Sequence, residues 1–197
     1  MNNTLIFLRH AKTIQDKSKP SSQWRLAETG KKTAKELAAS GIFDDVDIII
    51  SSNEKKAYQT AKPFADRTGK RIIKISELSE LNRDKEGLLT QENYRRTMVK
   101  IFKESDFEAY KWETSRHALR RFKHAIENID KQYHNKKILI VTHGIVMSLY
   151  FADIQNIREN IFVRWKSLAF CAWGIVKNGK VIKDVIDNKH TFGIRLQ

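Results

Sequence analysis

Two histidines stand directly behind short apolar runs. His10 follows Thr4-Leu5-Ile6-Phe7-Leu8 with Arg9 between, and His143 follows Ile138-Leu139-Ile140-Val141 with Thr142 between. An imidazole is a good nucleophile near pH 7 once its other ring nitrogen is fixed by an acceptor. A lone histidine is most often a structural residue, but two at equivalent places, with cationic neighbours, point to a site. His117, His124, His134 and His190 lack such surroundings and are assigned to the surface or to structure. The single cysteine, Cys171, lies in the apolar run Phe170-Cys171-Ala172-Trp173 and reads as a small buried hydrophobe.

Two such histidines can meet only if their strands end at the same edge of one sheet. Residues 4–8, 46–50, 71–75 and 138–141 are strand candidates, the first, second and fourth suited to burial on both faces. Helical patterns run over 28–40, stopped by Gly41, and over 55–68, stopped by Gly69. Pro63 inside the second is expected to kink or divide it. Residues 76–112 break the alternation and read as an insertion over the sheet, with a helical piece at 91–103. Ala118, Leu119, Phe122, Ala125, Ile126, Ile129 and Tyr133 form one apolar stripe on a helix over 114–133. Asn178-Gly179 between two apolar runs signals a hairpin. The expected fold class is α/β, a three-layer α/β/α sandwich with a mostly parallel mixed sheet. Ligands bind such sheets beyond the carboxyl ends of the strands, where Arg9, His10 and His143 fall.

A chain of 197 residues, 41% hydrophobic, suits a single domain over 1–197 with a cap insertion at about 76–112. No apolar stretch approaches the roughly 20 residues of a membrane helix. The opening Met1-Asn2-Asn3-Thr4 lacks the flank of a secretory leader, so a cytoplasmic location without membrane contact is expected. Lys and Arg number 37 against 23 Asp and Glu, a formal charge of +14 that attracts anions. No nucleic-acid module accompanies that charge, and nucleic acid is not expected as a partner.

The strings Leu8-Arg9-His10-Ala11-Lys12-Thr13, Ser51-Ser52-Asn53-Glu54-Lys55-Lys56-Ala57-Tyr58-Gln59-Thr60-Ala61 and Val141-Thr142-His143-Gly144 together resemble the histidine phosphatase superfamily, in its phosphoglycerate mutase-like branch. Leu26, Thr29-Gly30, Glu113-Thr114, Arg121 and the closing hairpin extend the likeness over nearly the whole chain, in order. The resemblance implies a phosphoglycerate mutase-like fold and makes His10 the phosphoryl acceptor, with Arg9 and a protonated His143 supplying positive charge. It places the general acid at Glu80, in Leu78-Ser79-Glu80 ahead of Glu86-Gly87, with Glu77 as the competing carboxylate. Lys56 stands where the family has a phosphate-clamping Arg, and keeps the charge without the planar fork. Thr13 and Gly144 complete the implied substrate contacts. Asp16 falls where a phosphate-contacting Asn is frequent, an unfavourable charge that Lys12 could offset.

The implied reaction is hydrolysis of a small phosphate monoester through a phosphohistidine, without metal or cofactor. A phosphoglycerate mutase-type transfer is the alternative, and a catalytically weak phosphate-binding protein is another, motivated by Lys56 and Asp16. Arg83, Lys85, Arg95, Arg96 and Lys100, in or near the insertion, suggest an anionic group on the substrate beyond the transferred phosphate.

Overall fold

The computed structural model describes residues 2–16, 18–84 and 89–186. Lys85, the Glu86-Gly87 pair and His190 lie outside the described residues.

Strands β1 (Thr4–Arg9), β2 (Ile48–Ser51), β3 (Ile72–Lys74), β4 (Lys137–Thr142), β5 (Trp173–Lys177) and β6 (Lys180–Lys183) form one sheet in the order β3-β2-β4-β1-β5-β6. The first four in that order run parallel, and the β5–β6 hairpin adds the antiparallel edge. The turn at Asn178-Gly179 holds both residues at positive φ, 51° and 70°, as a two-residue hairpin between right-twisted strands requires. Helices are α1 (Glu28–Ala39), α2 (Lys55–Thr68), α3 (Gln91–Lys103), α4 (Ser115–Gln132), α5 (Gly144–Ile154) and α6 (Ile161–Ser167).

The central strands are apolar on both faces because both are covered. Leu5, Phe7, Ile50, Ile138 and Ile140 join the core under α3, α4 and α5, while Ile6, Leu8, Ile49, Leu139 and Val141 pack against α1 and α2. That alternation is the period of two of a pleated strand, serving two cores at once. On the first face Phe7 meets the edge of Phe151 at 5.4 Å, and Phe122 meets Tyr150 at the same distance. Truncating Phe122 there would cost about 3–5 kcal/mol. The three-layer sandwich is therefore as the patterning implies.

Of the two outcomes expected at Pro63, division does not occur: α2 runs unbroken from Lys55 to Thr68. Proline removes one helical N–H, but its fixed φ is helical. The buried stripe Ala57, Thr60, Ala61, Phe64 and Ala65 continues through it and holds both halves on the sheet.

Residues after β3 pass through a 3-10 turn, Ser76–Leu78, and a loop before reaching α3. The aromatic residues Tyr94 and Phe102 seat α3 against Trp165 of α6.

Candidate active site

Register alone brings the two histidines together. Strands β1 and β4 are neighbours and pair up to Arg9 with Thr142, so the next residue of each, His10 and His143, leaves the sheet at one place. The His10 amide still donates to the Thr142 carbonyl at 2.9 Å, and the imidazole centroids lie 5.2 Å apart. Strand β2 ends beside them, with the Ser52 amide on the Val141 carbonyl. This is the carboxyl edge of the parallel strands.

His10 is buried, and its Nδ1 lies 2.8 Å from the Ala11 carbonyl oxygen. A carbonyl only accepts, so Nδ1 carries the hydrogen and Nε2 keeps its lone pair. Burial, then the neighbouring His143 ring and the Lys56 and Arg9 charges, hold the ring well below the usual histidine range, so it is neutral at pH 7. His10 thus has the tautomer and charge state of a nucleophile.

His143 is fully buried at the N-terminus of α5, its Nε2 2.7 Å from Ser52 Oγ. Burial and then the Lys56 charge hold it, too, well below the usual range. The ring is therefore neutral at pH 7, where the protonated form is expected, because it is buried and cations surround it. His143 Nδ1 and Arg9 Nε are buried without a partner among the described residues. Orphaned polar atoms at a strand edge are what a polar ligand would satisfy.

Arg9 donates to the Leu168 carbonyl and stacks on Phe170, whose ring centre is 4.4 Å from its guanidinium carbon. Phe170 also lies 5.7 Å from the His10 ring and is 39% exposed, forming part of the rim. Gly144 permits this packing: a Cβ there would stand 3.1 Å from Arg9 Nε and 3.3 Å from Trp165 Nε1.

Lys56 points inward from the first turn of α2, 3% exposed. Its ammonium sits 2.5 Å from Glu54 and donates to the Ser21 carbonyl at 2.8 Å. Glu54, at the N-cap position of α2, has no role that the sequence motif assigns, and it is a hub. One oxygen accepts from the Glu80 amide at 2.7 Å and lies 3.5 Å from His143 Nε2, while the other faces Lys56. Residues two apart do not face each other within a helix, so spacing gave no sign of this pair. It forms because Glu54 sits in extended backbone just before the first turn.

Glu80 is held at both ends. Its carboxylate accepts from the amides of Ile145, Val146 and Leu81, the first two at the positive end of α5. Arg121 binds the carbonyls of Glu77, Ser79 and Glu80, and is itself gripped by Glu113. Glu113 also accepts from the Asn82 amide. Glu77 faces outward, exposed and bonded to Ser76.

The structure thus brings Arg9, His10, Lys56, Glu80, His143 and Gly144 to one place. Thr13 lies farther along the loop, where its backbone pairs with Leu26, and makes none of these contacts. Asp16 is turned to its own loop: Lys19 and Ser18 hold its carboxyl down at about 2. Lys12 is exposed. Cys171 is buried, which pushes its thiol up to about 12. Of the remaining histidines, His117 binds Glu113, and His124 and His134 are exposed.

A parallel sheet that delivers a neutral histidine and a cluster of cations to its carboxyl edge defines the class. The chain belongs to the histidine phosphatase superfamily (branch 1), whose family profile it matches over residues 5–183. It is 26% identical over 167 residues to phosphoserine phosphatase 1 of Hydrogenobacter thermophilus, covering 78% of this chain and 76% of that protein. It is also 26% identical over 153 residues to the uncharacterized phosphatase PhoE of Bacillus subtilis, covering 76% of each. The fold is shared with YhfR of Bacillus stearothermophilus at a TM-score of 0.77 and 19% identity, covering 92% of this chain and 95% of that one. No described helix is long and apolar enough to cross a membrane.

Proposed function

We propose that this protein hydrolyses a small phosphate monoester by passing the phosphoryl group through Nε2 of His10. The observation that carries this is the His10 ring, with its hydrogen fixed on Nδ1 by Ala11 and its lone pair on the opposite nitrogen. The orphaned Arg9 Nε and His143 Nδ1, and the Lys56 charge, supply the donors that a transferring phosphoryl group needs.

The P–N bond to His10 forms as the P–O bond to the leaving group breaks. Glu80 in its acid form gives its proton to the departing oxygen. As a carboxylate it then takes a proton from water, whose oxygen attacks phosphorus and breaks the P–N bond. Inorganic phosphate leaves, and His10 is neutral again. A phosphoryl dianion beside His143 offsets the cations that keep this ring unprotonated, so bound substrate favours its imidazolium.

The test is a rapid acid-free quench with phosphorus-labelled substrate, alongside phosphate release from a panel of monoesters. The parent protein should yield an acid-labile, alkali-stable label on His10. His10→Ala should lose the label and at least about 1000-fold in turnover. Turnover or labelling that persists in this variant would refute the proposal.

A further inference from the structure

The sequence leaves several basic residues as receptors for a second anionic group, and among the described ones the structure separates them. Arg96 pairs with Glu92 on the exposed side of α3, Lys100 lies over the Phe107 ring, and Arg95 is exposed on the same helix. Arg83 alone turns toward the site. Its Nη1 donates to the Tyr94 hydroxyl at 2.5 Å and its Nε to Ser21 Oγ at 3.3 Å.

Ser21 is the residue whose carbonyl holds the Lys56 ammonium. Trp24 is shared as well: Lys56 and Arg83 lie 6.0 and 5.9 Å from its ring. The two cations therefore stand side by side, Lys56 deep and Arg83 nearer the surface. The Arg83 charge reaches both Arg9 and His143. Both hydrogen-bond partners of Arg83 are neutral hydroxyls, and the Glu80 and Glu54 carboxylates act on it through space without forming an ion pair with it among the described residues. A guanidinium that hydrogen-bonds neutral groups and forms no ion pair keeps donors for a charged ligand. Nη2 has no partner among the described residues, so the Nη1–Nη2 edge retains two donors for a planar acceptor.

We propose that Arg83 is the receptor for a carboxylate on the substrate, so that the preferred substrates are phosphate monoesters bearing a carboxylate a few bonds from the ester oxygen. This rests on the phosphatase reading above. A carboxylate suits the site better than a second phosphate. Arg9, Lys56 and Arg83 face Glu54 and Glu80, so little net positive charge is left, and beside one phosphoryl dianion a monoanionic carboxylate adds less repulsion than a second dianion. The planar fork of the free edge also matches two coplanar oxygens.

The experiment compares phosphoglycolate with ethyl phosphate, which differ by a carboxylate in place of a methyl, in the parent protein, Arg83→Ala and Arg83→Lys. The ratio of kcat/KM for the two esters cancels intrinsic reactivity between variants. That ratio should fall about 10- to 100-fold in Arg83→Ala, the effect of losing a charge-assisted contact, and Arg83→Lys should recover part of it. A ratio within about threefold of the parent overturns the proposal, even if both rates fall. A parent preference for glycerate bisphosphate over phosphoglycolate also overturns it. Calorimetric titration of the two esters into His10→Ala, with and without Arg83→Ala, reads the same contact without turnover. Absence of turnover in the parent protein as well, with the binding ratio still falling in Arg83→Ala, would sink the phosphatase reading alone.

Discussion

Replacing Lys56 by Met keeps most of its bulk and removes the charge that Glu54 faces at 2.5 Å. Both side chains are nearly sealed from water, 3% and 7% exposed. A buried pair broken on one side leaves an uncompensated ion, and the cost is about 3–5 kcal/mol. Lys56→Met should lose that much stability, because the Glu80 amide is then the one close hydrogen-bond donor to the Glu54 carboxylate among its described contacts. Glu54→Gln should cost a similar amount by stranding the ammonium. The double variant buries no charge at this point and should lie within about 2 kcal/mol of the parent, so the two changes couple by several kcal/mol. Guanidinium denaturation of the four proteins measures this cycle. Activity should follow a different rule. Lys56→Met should lose about 2–4 kcal/mol of transition-state stabilisation, roughly 30- to 1000-fold in kcat/KM, and the double variant should stay slow although its stability returns. Additive stabilities within about 0.5 kcal/mol would show that the pair is no unit. Full activity in Lys56→Met would remove Lys56 from the phosphate pocket.

Glu80→Gln should slow alkyl phosphates, whose leaving oxygen needs a proton, more than activated aryl phosphates; equal slowing of both would reject Glu80 as the acid. His10 and His143 are held well below 6.5, so the folded protein refuses protons that the unfolded chain accepts. Their contribution to stability is complete above that value and is lost as pH falls toward the folded values, at up to about 1.4 kcal/mol per pH unit for each ring. Denaturation midpoints at pH 7.5 and 5.5 should show the loss in the parent and a smaller one in His10→Asn or His143→Asn. Vanadate should inhibit in competition with substrate, and inhibition that persists undiminished in His10→Ala would place it elsewhere.

Periodicity and punctuation revealed most of the fold. The strands announce themselves as apolar runs, α4 by its stripe, and α1 and α2 by the glycines at 41 and 69, both at positive φ. Histidine positions were legible because strand register is a local rule: whatever follows a buried strand emerges at the sheet's carboxyl edge. The Glu54 hub was not legible, since its partners Lys56, Glu80 and His143 come from three separate segments and one cap geometry. The neutrality of His143 was missed for a related reason. Sequence names the charges but not their distances, and burial together with four cations decides the proton. Pro63 shows the converse, a strong local signal outweighed by the apolar face that carries α2 across it.

Gly30 touches nothing reactive, yet a Cβ there would stand 2.1 Å from the Lys12 carbonyl oxygen, with the Lys12 nitrogen at 2.9 Å. That carbonyl also takes the Ala27 amide, so the chain leaving His10 is pressed onto the start of α1 with no clearance. Any side chain at position 30 must push away the segment on which the His10 ring is mounted. In a saturation mutagenesis screen scored on growth or turnover, position 30 would tolerate as few replacements as position 10. Intolerance would then mark two different things, one a reacting nitrogen and the other the want of a single carbon's space.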